Sequence, residues 1–219
     1  MSDALVTEYS YEGPTRGVDR AVLLAHGAGA GMDAPALVAV ADALARAGVP
    51  SLRFNYPYRS AGRKAPDSPK KLDAATREAA AELARRTQLP PDRLVLGGRS
   101  MGGRYCSLIV GTEDDPVPAL GLLLLGYPLH AAGKPDKQRV EHFGRLKVPC
   151  LFVSGTRDAL GGQAALQAAA RAITGVVTFH WLETADHGFR PLKASGRTLD
   201  DTIAESAEIA TGWVLGLAP

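Results

Sequence analysis

Apolar runs of strand length alternate along this chain with stretches whose apolar residues recur every three to four positions. Residues 22–25 are one such run, and they end at a cluster of glycines. Over residues 35–47, Leu37, Val40, Ala41 and Leu44 fall at helical spacing, with Pro35 in the first turn and Gly48 just past the end. A second strand is expected over 49–55. A helix follows over 69–88, with Ser68 as N-cap and Pro69 at its first position. The alternation continues with a strand at 94–96, a helix at 101–110 and a strand at 119–125. Then come a short helical segment near 137–145, a strand at 148–153, a helix at 160–173 and a strand at 176–182. A last helix is expected over 201–215, introduced by Thr198-Leu199-Asp200-Asp201, a capping-box pattern.

The strands lack polar–apolar alternation. Strands that are apolar throughout are buried on both faces, which implies a parallel sheet with helices on either side. The expected fold is therefore α/β and doubly wound, a single domain over residues 1–219, with segment 4–11 as an antiparallel edge strand. Composition agrees with a globular chain: 219 residues, 46% hydrophobic and 22% charged. A formal charge of +2 gives no basic face of the kind nucleic-acid binders carry. No run approaches the ~20 apolar residues that cross a bilayer, and residues 1–8 lack the basic start and apolar centre of a secretory signal. A cytoplasmic protein without nucleic-acid or membrane partners is expected; the oligomeric state is open. Two cysteines, Cys106 and Cys150, exclude a disulfide scaffold and a multi-cysteine zinc site. They read as small core residues.

The strongest local signal is Gly98-Arg99-Ser100-Met101-Gly102, a G-x-S-x-G between a buried strand and a helix. That context is the one in which a serine nucleophile is held above the sheet edge, flanked by residues small enough for strand and helix to approach. A serine hydroxyl needs a base. Among five histidines, His187 lies after the last strand, on a loop able to reach back over the carboxyl edge of the sheet. His180 sits inside a strand, and His130 and His142 read as surface residues. Asp158, closing a buried strand, is the expected orienting carboxylate. Asp186 is a poor rival, because adjacent side chains diverge. Each of the three follows a different strand at its carboxyl end, where open α/β sheets place their sites.

The small-residue loop at 26–31 follows a buried strand and can donate backbone N–H groups to an oxyanion. Ala28 and Met101 are the expected donors, with Gly27, His26 and Arg99 as possible substrate contacts. The same loop fails as a dinucleotide site, because Met32 replaces the last glycine of G-x-G-x-x-G. No G-K-[ST] marks a phosphate loop, and no H-E-x-x-H marks a metal site.

With these pieces the chain resembles the α/β-hydrolases, and more narrowly the KANL3/Tex30-like family related to dienelactone hydrolases. The matching segments are 26–33, 52–58, 98–104, 155–158 and 185–189. The resemblance implies an α/β-hydrolase fold without a large cap domain and a Ser100–Asp158–His187 triad; the position that is cysteine in dienelactone hydrolases proper is serine here. The expected activity is that of a serine hydrolase, carboxylic-ester-hydrolase-like, cleaving a small ester or related acyl compound without a cofactor. The alternative is a hydrolase-shaped binding or scaffold protein that leaves its site unused. Segment 59–77 carries six basic and two acidic residues. It reads as a solvated face or as a basic border to the site.

Overall fold

The computed structural model describes residues 5–218. One seven-stranded sheet runs through it: β1 (Tyr9–Glu12), β2 (Ala21–Ala25), β3 (Ser51–Phe54), β4 (Leu94–Arg99), β5 (Gly121–Leu125), β6 (Cys150–Gly155) and β7 (Val177–Leu182). The spatial order is β1-β3-β2-β4-β5-β6-β7. All neighbours are parallel except β1, which pairs antiparallel with β3, Tyr9 opposite Phe54. The expected edge strand is thus shorter than 4–11, and residue 4 lies outside the described residues.

The helices are α1 (Pro35–Arg46), the four-residue α2 (Pro57–Ser60), α3 (Pro69–Thr87), α4 (Met101–Val110), α5 (Gln163–Ala170) and α6 (Leu199–Gly216). Residues alternate across the sheet and both faces are dry. Leu96, Leu122, Leu124 and Phe152 meet α3, α4 and α5 on one side. Val95, Leu123, Leu125 and Val153 meet α1 and α6 on the other. Burying each leucine contributes about 2 kcal/mol, which explains strands that are apolar at every position.

Local chemistry accounts for several boundaries. Thr198 and Asp201 close the capping box at the start of α6, and Arg20 satisfies its far end by donating to the carbonyls of Val214, Leu215 and Leu217. Ser68 precedes α3 with extended backbone but makes no side-chain cap bond; Pro69 alone marks the start. Two helical expectations contract. The segment 137–145 yields only a 3-10 turn at Phe143–Arg145, preceded by a bridge between His130 and Gln138. The helix expected over 160–173 is α5, which starts after Gly161-Gly162. β7 also departs from the all-apolar pattern. It is the sheet's edge, and most of its residues are half exposed.

The chain leaves β2 through α1 to β3 on one side, then crosses back through α3 to β4 on the other. A crevice therefore opens at the carboxyl ends of β2 and β4, the switch point where α/β sheets bind ligands.

Candidate active site

Ser100 occupies the turn between β4 and α4 with φ 50° and ψ −115°, a backbone that costs a non-glycine residue roughly 1–3 kcal/mol. The packing behind it enforces the turn. Gly98 and Gly102 both press on Ala25 of β2 so closely that a Cβ on either would overlap the Ala25 carbonyl. The Ser100 backbone N–H donates to the Leu125 carbonyl (2.9 Å) and fixes the turn to β5.

Ser100 Oγ lies 2.9 Å from His187 Nε2. The other ring nitrogen, Nδ1, lies 3.0 and 2.9 Å from the two carboxylate oxygens of Asp158. Asp158 is buried at the end of β6, and its Oδ1 also accepts the Leu160 N–H (2.8 Å). The three expected residues are therefore joined in one hydrogen-bonded chain. A hydroxyl on an imidazole on a buried carboxylate can pass a proton from oxygen to nitrogen while the carboxylate holds the ring's tautomer and steadies its charge. Asp186 is engaged differently: its Oδ1 accepts the N–H groups of Gly188 and Arg190 and folds the loop that carries His187.

Ala28, on the loop after β2, and Met101, the first residue of α4, line a cleft together with Ser100. Among the described residues, neither N–H is given to a protein acceptor. Both are free to serve an oxyanion. The loop is tied down from below by Tyr58, whose hydroxyl donates to the Ala28 carbonyl (2.8 Å). Sequence reasoning missed Tyr58, which acts across a gap of thirty positions with no local pattern to mark it.

Two of the expected substrate contacts are corrected. His26 is fully buried, its Nδ1 bonded to the Gly27 carbonyl (2.8 Å) and its Nε2 accepting the Tyr56 N–H (3.1 Å). It holds the loop from inside and has no edge left for a ligand. Burial pushes its pKa down to about 4, so the ring is neutral. Arg99 points its guanidinium to the carbonyls of His187 and Leu125 and stacks over the Phe189 ring at 4.3 Å. A guanidinium so engaged cannot clamp a substrate carboxylate; it anchors the loop behind His187. Gly126, at φ 57°, leaves the notch it needs. Gly27 does line the cleft.

The remaining histidines sort by packing. His142 is buried, not at the surface, because its Nε2 bonds Ser107 Oγ (2.8 Å) within the α4 layer. His180 pairs with Glu205 at 2.6 Å on the edge strand. His130 is half-buried in the loop after β5.

Two clefts meet at Ser100, Ala28 and Leu160. One, of about 460 Å³, is lined by the 27–30 loop, His187, Leu199 and Ile203. The other, of about 560 Å³, runs between Pro66–Asp67, Arg104, Tyr105 and the segment 128–139. Of segment 59–77, Pro66, Asp67, Pro69 and Leu72 line this cleft, and none of its six basic residues does.

Comparison with known proteins bears on the fold and family. The profile of a family described as "alpha/beta hydrolase domain" matches residues 18–215. Solved structures similar in fold include a dienelactone hydrolase from Anabaena variabilis (TM-score 0.69, 17% identity, covering 96% of this chain and 92% of that one). A thermophilic esterase from Thermogutta terrifontis with propionate bound superposes with a TM-score of 0.67 at 18% identity over 96% and 90% of the two chains. An alpha-beta serine hydrolase homologue from Coxiella burnetii gives 0.66 at 17% identity over 93% and 89%. The architecture is shared with all three, at 17–18% sequence identity.

Proposed function

Since the chain belongs to the alpha/beta hydrolase family, we propose that it is a serine hydrolase that cleaves a small ester or related acyl compound through an acyl-enzyme. One observation carries this reading: Ser100 Oγ, His187 and Asp158 form a continuous hydrogen-bonded relay at the mouth of an open crevice. The narrower kinship with the KANL3/Tex30-like group is part of the same proposal and rests on the segments quoted above.

On this reading Ser100 Oγ attacks the substrate carbonyl carbon while its proton passes to His187 Nε2. Asp158 stays ionised, holds Nδ1–H and stabilises the imidazolium. The carbonyl oxygen becomes negative between the N–H groups of Ala28 and Met101. The bond to the leaving oxygen breaks as Nε2 returns the proton to it, and an alcohol departs. Water then repeats the sequence on the acyl-serine, losing its proton to His187; the serine oxygen takes that proton back and the carboxylic acid leaves. The cycle consumes water and needs no cofactor. Support for a small acyl group comes from the openness of the crevice, over which no large cap domain lies among the described residues, and from the short acid held by the similar Thermogutta esterase.

The test is hydrolysis of 4-nitrophenyl acetate and butyrate by wild type and single variants. Ser100→Ala and His187→Ala should each lower kcat/KM by about a thousandfold or more. A Ser100→Ala protein that turns over both esters at the wild-type rate contradicts the assignment.

A further inference from the structure

The two clefts that meet at Ser100 differ in character, and the larger one contains two arginines without an acidic partner among the described residues, Arg104 having only the Tyr105 ring at 5.6 Å. Arg104 stands one turn into α4 from the serine, and its backbone N–H donates to the Ser100 carbonyl (3.0 Å). Arg139 comes from the segment after β5. Their backbone carbonyls accept from Ser107 and Tyr127, but among the described residues neither guanidinium has an acidic partner or a side-chain hydrogen bond. Arg104 Nε is moreover buried with no partner at all. A buried, unpaired guanidinium nitrogen is costly unless something fills its valence. Arg53 also has a buried Nε without a partner, but its two amino groups meet Glu12, Asp33, Ser10 and the Met32 carbonyl, and Arg20 is held by Asp19 and three carbonyls; the amino groups of Arg104 and Arg139 have no such protein acceptors among the described residues.

One carboxylate faces the same cleft. Asp67 Oδ1 already carries Arg63 at 2.6 Å and Lys71 at 3.8 Å, while its Oδ2 is buried without a partner. Its charge is therefore more than matched by its own neighbours, and the cleft as a whole is positive. The rest of the basic stretch around it, including Lys64 and Lys70, adds to that sign.

The orientation of a bound ester decides which part of it meets these arginines. His187 must hand its proton to the leaving oxygen, so the leaving group lies on the His187 side of Ser100. That side is the apolar cleft, walled by Leu199 and Ile203. The acyl part is then directed to the opposite cleft, toward Arg104 and Arg139. Resting on the serine-hydrolase reading, we infer that this enzyme acts on acyl compounds whose acyl part carries a terminal carboxylate, held by Arg104 and Arg139. Half-esters of dicarboxylic acids have this form, and the product is the free dicarboxylate. Guanidinium forks suit a planar carboxylate geometrically as well as electrically.

The experiment compares mono-4-nitrophenyl adipate with its uncharged isostere, 4-nitrophenyl 6-methylheptanoate, on wild type, Arg104→Gln, Arg139→Gln and Arg104→Lys. Labelling of Ser100 by a fluorophosphonate is measured in parallel. The wild type should favour the charged ester at least tenfold in kcat/KM, chiefly through KM. Each glutamine variant should cut that ratio about tenfold, in line with loss of one charge-assisted contact. Arg104→Lys should restore part of it, and added salt should shrink the wild-type preference. A wild-type ratio near one, or a preference for the uncharged ester, overturns the inference while leaving the hydrolase reading intact. So does failure to cleave the charged ester by a protein whose Ser100 still labels. Absence of both turnover and labelling removes the hydrolase reading, and this inference with it.

Discussion

Ser100 sits in a backbone conformation that glycine tolerates and other residues resist. Ser100→Gly should therefore be more stable than Ser100→Ala by about 1 kcal/mol, although both lose the hydroxyl. Urea unfolding of the two variants reads this directly; equal midpoints would mean that the turn stores no strain. Two neutral histidines give a second residue-scale prediction. Burial lowers His26 and His142 from 6.5 to about 4, with nearby arginines adding to the effect. Between those values the unfolded chain takes up protons that the folded one refuses. Stability is therefore whole above about pH 6.5 and falls as the pH drops toward 4, by on the order of 3 kcal/mol per histidine. Denaturation midpoints from pH 7.5 to 4.5 should decline, less steeply in His142→Gln. A flat profile would place these rings in contact with water.

At the scale of elements, the elbow depends on how closely α4 and β4 approach β2. Gly102→Ala places a Cβ against the Ala25 carbonyl. The variant should lose about 3 kcal/mol or more of stability and most of its serine reactivity; thermal denaturation beside probe labelling checks both. The loop carrying His187 depends on Arg99. Arg99→Met should lower kcat roughly tenfold with little change in KM, because the ring loses its anchor while the cleft keeps its walls. An unchanged kcat would show that Asp158 alone holds the ring. These elements differ in how well they could be read in advance. β2, β4, β5 and β6 were legible because burial on both faces leaves an uninterrupted apolar run. The short α2 and the contracted segment 137–145 were not, since a single turn leaves too few positions for a period to register. His142 misled for a related reason: a polar residue in a loop reads as exposed, and only the partner Ser107, thirty-five positions away, makes its burial tolerable.

For the whole molecule, strand order governs where the chemistry gathers. Parallel strands end on one edge, so residues following β2, β4, β6 and β7 are gathered there however far apart they lie in the chain. That is why Ser100, Asp158 and His187 could be singled out from sequence, each by its place after a strand. Arg99 and Tyr58 could not, because their roles depend on which carbonyl they meet. The same holds for the two clefts, whose division by Leu160 and Ala28 is a property of loops. The central claim is that Ser100 is a nucleophile activated by His187, and the most direct measurement is peptide mapping of the protein after exposure to a fluorophosphonate. The account predicts one covalent adduct, on Ser100, lost in Ser100→Ala and formed at least a hundredfold more slowly in His187→Ala. An adduct on another residue, or none on folded wild-type protein, would contradict it.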